Sequence, residues 1–220
     1  MSIGMVLLTA VAVLVFFGVT QRVLDKMRLT DRAALLMVAA MFFGGLIPNL
    51  QFGMVEVNIG GALVPLGICL YLLIKADSGK EVARALIGSC VTAAAVYFLG
   101  SWMPNEPEAI GIDPNYVYGL VGGLVAYILG RSRRAAFICG ILGVLLADVA
   151  IAVMNWGQGI QQPLVLGGAG IFDAMVISGL AGVILAELIG EAAERMTRGK
   201  NPPDTRPIEN PLKDKEGGKA

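Results

Sequence analysis

GGAGIFDAMVISGLAGVILAEL, residues 167–188, reads as a membrane helix with a carboxylate, Asp173, in its first half. A charge at the centre of a spanning helix costs about 2.5–3.5 kcal/mol on insertion scales, so an acid kept there needs a reason. Whether this stretch is one continuous span decides the fold.

Working outward, six further apolar runs of near-spanning length precede it. The seven cover about 3–21, 32–50, 59–75, 84–102, 114–129, 135–154 and 164–189. A spanning helix needs roughly 20 apolar residues. The third and fifth runs are short, which suits little tilt or a partly re-entrant path. Charged residues make up only 15% of the chain, against about 25% in soluble domains, which favours a membrane class. The first run lacks a basic segment before it; Arg22, Lys26 and Arg28 follow it instead. It is therefore read as a retained span and not as a signal peptide.

The loops set an orientation. Arg22, Lys26, Arg28 and Arg32 fall between runs one and two. Lys75, Lys80 and Arg84 fall between three and four, and Arg131, Arg133 and Arg134 between five and six. Every other Lys and Arg follows residue 189. The alternate loops, 51–58, 103–113 and 155–163, carry none. The positive-inside rule predicts an N-terminus outside, a C-terminus in the cytosol and localisation in the cytoplasmic membrane. The expected fold is an all-α integral membrane protein of about seven transmembrane helices. A polytopic domain over 1–195 is followed by a Pro- and charge-rich tail, 196–220, expected to be disordered.

An internal similarity divides the membrane part into halves of about 3–75 and 114–190 around a linker helix at 84–102. RAALLMVAAMFFGGLIPNL from Arg32 matches RAAFICGILGVLLADVAIA from Arg134. VNIGGALVPLGICLYLL from Val57 matches LVLGGAGIFDAMVISGL from Leu164. Three spans, one and three give a parallel repeat. Gly60, Gly61, Gly167 and Gly168 open the matching helices. The outer segments before them, NLQFGMVEVN and NWGQGIQQP, are polar and lack positive charge; either they dip into the membrane and line a cavity, or the glycines serve tight helix packing.

Asp173 has a companion in Asp148, within GVLLADVAIAV. Counting from Met154 and Leu164, Asp148 lies about 9 Å and Asp173 about 14 Å below the outer end. The two acids are expected at comparable depth on neighbouring helices. The repeat aligns them with Leu46 and Leu66, so they belong to the second half alone. No Lys, Arg or His lies in the apolar interior. Asn49, Asn58, Asn155, Gln158 and Ser178 are the polar groups within reach. Close carboxylates share a proton, bind a cation through oxygen ligands, carry protons or activate water. A pair of buried acids holding helices together is the structural alternative. The candidate solute or ion site comprises Asp148, Asp173, Gly167, Gly168, Gly170, Asn58 and Asn49.

Other classes are excluded or weakened. The chain has no His, which removes His triads, His metal sites and His proton shuttles. Cys69, Cys90 and Cys139 sit in apolar runs without CxxC spacing, so neither a disulfide nor a zinc site is expected. No cofactor is evident beyond a bound cation, and no metal is specified. The partner expected is the lipid bilayer, with no nucleic acid. Small-residue faces at Gly119/Gly123 and Ser178/Gly182 pack helices within the chain or join two copies as a homo-oligomer.

At VNIGGALVPLGICLYLL and GGAGIFDAMVISGLAGVILAEL the chain resembles a bacterial and archaeal family of multi-pass membrane proteins known as a domain of unknown function. That resemblance implies a prokaryotic membrane protein and no activity. A weaker likeness is to presenilin-type intramembrane aspartyl proteases, which carry YD and GxGD motifs on consecutive helices. It implies catalytic roles for Asp148 and Asp173. The motifs depart from the pattern: Ala147 replaces the Tyr, GAGIFD is not GxGD, no helices follow to supply a PAL segment, and the orientation is reversed. Three functions remain open: a transporter or ion-binding protein for a small solute, cation or proton; an intramembrane diaspartyl protease; and a non-catalytic scaffold.

Overall fold

The computed structural model describes residues 31–102, 114–130, 132–168 and 173–198. The first apolar run, the acidic outer loop, Arg131, Gly170 and all but the start of the tail lie outside the described residues.

Six α-helices follow apolar runs two to seven. They are α1 (Asp31–Gly45), α2 (Val64–Ile74), α3 (Gly79–Trp102), α4 (Pro114–Gly130), α5 (Arg133–Gly157) and α6 (Ala174–Arg198). A π-helical turn, Ile59–Leu63, leads into α2. Three short strands, β1 (Leu50–Phe52), β2 (Val55–Val57) and β3 (Leu164–Leu166), form one sheet. At 24 and 25 residues, α3 and α5 run about 36 Å each, and both are long and apolar enough to cross a membrane. Shorter apolar helical stretches run Leu35–Gly45, Ile59–Ile74, Val117–Leu129 and Ala174–Ile189.

The core is a bundle of α3, α4, α5 and α6, with α5 packed against the other three. Its sequence explains that place. Eight consecutive residues, Arg134 to Ile141, are buried, followed by Gly143, Val144 and Ala147. Five of these are Ala or Gly, small enough to bring neighbouring backbones close on several sides. Gly140 shows how close. A Cβ built there would stand 2.7 Å from the α6 backbone at Ser178 and Gly179. The small-residue faces at Gly119/Gly123 and Ser178/Gly182 meet each other between α4 and α6. A Cβ on Gly123 would lie 2.9 Å from the Ser178 carbonyl and 3.1 Å from Gly182 N. These faces are used within the chain.

The sheet departs from expectation. The polar segment between α1 and α2 is a β-hairpin, pairing Leu50 with Val57, Gln51 with Glu56 and Phe52 with Val55. Gly53, at φ 62°, makes its two-residue turn. The start of the seventh run is not helical. Leu164, Val165 and Leu166 pair parallel to Val55, Glu56 and Val57, so β2 is the middle strand. Gly167 then turns at φ 67°. Three apolar residues carry no periodicity that separates helix from strand. Here the free edge of β2 decides, satisfying backbone groups that an isolated segment would leave unpaired.

The repeat is not reproduced at its glycines. Gly60 and Gly61 lie inside the π turn, whereas Gly167 and Gly168 lie in a turn after a strand. The two pairs touch instead of corresponding. A Cβ on Gly167 would come within 2.6 Å of Ala62 N.

The basic loops gather at the other end of the bundle from the sheet. Arg134 is 7% exposed. It donates to the Lys75 carbonyl (2.8 Å) and to the Asp77 carboxylate, with Glu81 at 3.8 Å. The Ser132 hydroxyl donates to Glu81 (3.0 Å), and Arg133 donates to Glu187 (2.9 Å). One cluster thus ties the end of α2 to the starts of α3 and α5, and its neighbour ties α5 to α6.

Candidate functional site

Asp173 is the first surprise of the site. It immediately precedes α6 instead of standing inside a helix. Its main-chain carbonyl accepts from Val176 N (3.0 Å) and Ile177 N (3.1 Å), opening the helix. Its carboxylate Oδ1 accepts from Met175 N (3.0 Å). This is an N-cap: the side chain satisfies an amide that has no partner within the helix, at the positive end of the helix dipole. The mid-helix penalty expected for residues 167–188 therefore does not arise.

Asp148 stands differently. It lies within α5, nine residues before the helix ends at Gly157. No hydrogen bond or ion pair joins it to another described residue. It lines a cavity of about 220 Å³ between the C-terminal part of α5 and the chain that returns along it. Ile151, Ala152 and Asn155 complete the helix wall, and Gln162, Pro163, Leu164 and Val165 form the opposite one. The returning chain is fastened to the helix end. The Trp156 indole N–H donates to the Gln162 carbonyl (2.8 Å), Ile160 N donates to the Asn155 carbonyl (2.9 Å), and the Asn155 carboxamide reaches Gln162 Oε1 at 3.5 Å. Gly159, at φ 80°, allows the reversal between them.

Asp148 and Asp173 are near enough for each charge to be felt by the other, and Tyr118 on α4 lies in the field of Asp148. Their tasks differ. One carboxylate caps a helix, while the other opens on a cavity whose described lining does not include Asp173.

The remaining expected site residues form a separate group around the sheet. Asn58 is 4% exposed and caps the π turn, its Oδ1 accepting from Gly61 N (2.8 Å). Its Nδ2 donates to Asn49 Oδ1 (3.0 Å), and Asn49 in turn reaches Glu56 at 3.5 Å. Asn58 N also donates to the Leu166 carbonyl, extending the β2–β3 ladder (2.9 Å). Gly167 packs on this cap from β3's side, and a Cβ on Gly168 would meet the Val165 side chain. These asparagines and glycines build the scaffold beside the cavity, and none is among its lining residues. Ser178 is fully buried, faces Gly122 and has no hydrogen-bond partner among the described residues. Among the described residues no cluster of three or more His, Cys, Asp or Glu stands ready to hold a metal.

Two residues escaped the sequence reading. Tyr118 lies in an apolar run with no local sign of a polar neighbour. Gln162 lies in a segment flagged only for its composition, and its place depends on the path of the chain after Gly159.

A helical bundle with two membrane-length helices and a carboxylate-lined cavity at its sheet end defines the class of protein. The chain belongs to the family described as protein of unknown function (DUF1614), whose profile matches residues 14–185 and so takes in both acids. No curated protein and no solved structure matches it.

Proposed function

We propose that the chain is an integral membrane protein of seven spans that binds a cationic solute or proton at Asp148 and moves it across the bilayer. One observation carries this reading: a carboxylate inside an apolar, membrane-length helix that opens on a cavity and has no hydrogen-bond partner among the described residues. A charge so placed is costly unless a cation or a proton meets it. Binding one offsets that cost, which gives the site its driving force.

The arrangement of the ends supports the orientation. The loops carrying Lys75 and Arg133–Arg134 meet at one end of the bundle, and the loop 155–163, which lacks Lys and Arg, lies at the other. The positive-inside rule then puts the cavity on the outer side, the N-terminus outside and the tail in the cytosol. Residues 162–165 reach Asp148 from that side, which supports a re-entrant outer segment. The protease reading needs both carboxylates to share one water. It gains less support, because Asp173 Oδ1 is engaged by Met175 N. A scaffold has no use for the cavity.

The test is uptake into proteoliposomes of purified protein, with sodium, protons and small amines as candidate cargo. Asp148→Asn should abolish uptake, and Asp173→Asn, which can still cap the helix, should retain most of it. Equal uptake by wild type and Asp148→Asn sinks the proposal. Cleavage of a membrane peptide that needs both acids favours the protease.

A further inference from the structure

The cavity's walls say more about the cargo than its charge does. Five of its eight lining residues are apolar, and the polar three are one carboxylate and two carboxamides, Asp148, Asn155 and Gln162. We propose that the ligand is a small organic amine, an alkylammonium ion bound by its head at these three groups with its alkyl part against Ile151, Leu164 and Val165. This rests on the reading of Asp148 as a cation site and names the class of cation.

The donor and acceptor inventory fits. An ammonium group has three N–H donors and no acceptor. Asp148 supplies the countercharge, and Asn155 and Gln162 each supply a carbonyl oxygen. A bare metal ion fits poorly: hard cations take about six or more oxygen ligands. These three side chains offer four oxygens, of which Gln162 Oε1 is already approached by Asn155 at 3.5 Å. The size also fits. A volume of about 220 Å³ holds a ligand below drug size. Apolar walls around a few convergent polar groups are the usual form of an organic-ligand site. No Lys or Arg lines the cavity to repel the ammonium head.

The experiment is a binding series on the full chain in detergent, at constant ionic strength. It reads Trp156 emission in a Trp102→Phe background, since these are the two tryptophans. Trp156 adjoins Asn155 and holds Gln162. From methylammonium to butylammonium, affinity should rise about fourfold for each methylene that reaches the wall. Sodium at the same concentration should not compete. Asp148→Asn should weaken butylammonium at least tenfold. Ile151→Ser should flatten the chain-length series without abolishing methylammonium binding, and Ala152→Leu should cut it short by filling the space.

A flat series, or sodium competing on equal terms, overturns the amine proposal. If sodium binding is then lost in Asp148→Asn, the cation site stands and only its cargo was misread. If the amine series is unchanged in Asp148→Asn, the Asp148 site falls as well.

Discussion

At the scale of single residues, Asp148 and Asp173 show how context divides one chemistry into two roles. Asp173 is held by α6's first amides, so its worth is structural. Asp173→Ala should lower the thermal stability of the purified protein by about 1 kcal/mol, the usual cost of a lost cap, and Asp173→Asn should restore most of it. Asp148 makes no such bond, so neutralising it should leave folding intact while removing the function proposed for it. Arg134 is the counterexample at the basic end, a buried cation satisfied by the Lys75 carbonyl, Asp77 and Glu81. Arg134→Ala should cost roughly 2–3 kcal/mol in the same melt. That is below the 3–5 typical of a fully buried pair, because Asp77 is about half exposed.

At the scale of elements, the helices follow the apolar runs, while their contacts follow the glycines. Gly140→Ala would push a methyl into the α6 backbone, which has no flexible side chain there to yield. It should destabilise by about 1–3 kcal/mol or more and shift the melting transition down. Gly67, in α2, has nothing within 4 Å of an added Cβ. Gly67→Ala should be neutral or raise stability by about 0.5–1 kcal/mol, since a helix interior favours Ala. Opposite shifts from one substitution type would confirm that packing sets the order. The sequence showed small residues at helical spacing on α4 and α6, but spacing is the same for a face turned to its own chain or to another. Only the α4–α6 contact assigns it.

At the scale of the whole molecule, topology is the property most open to a direct check. The basic loop at Ser78 and the loop at Gln161 lie at opposite ends of the bundle. In a Cys90→Ser background, Ser78→Cys should react with an impermeant maleimide only after the membrane is opened. Gln161→Cys should react in intact cells. Labelling of both from one side would refute the alternating spans. Cys69 and Cys139 are buried and should stay silent in this assay.

The sequence by itself determined what depends on composition and local pattern: the apolar runs, the charge difference between alternate loops, the family likeness and the position of Asp148 within a helix. Each follows from residues read in order, because hydropathy and loop charge act locally. The tertiary structure alone decided that Leu164–Leu166 is a strand, that Asp173 is a cap and that the chain after Gly159 returns to wall a cavity at Asp148. These depend on β2 offering an edge more than a hundred residues away and on the path of the turns between. An apolar triplet satisfies a helix or a sheet equally, and the distant hydrogen-bond partner chooses between them.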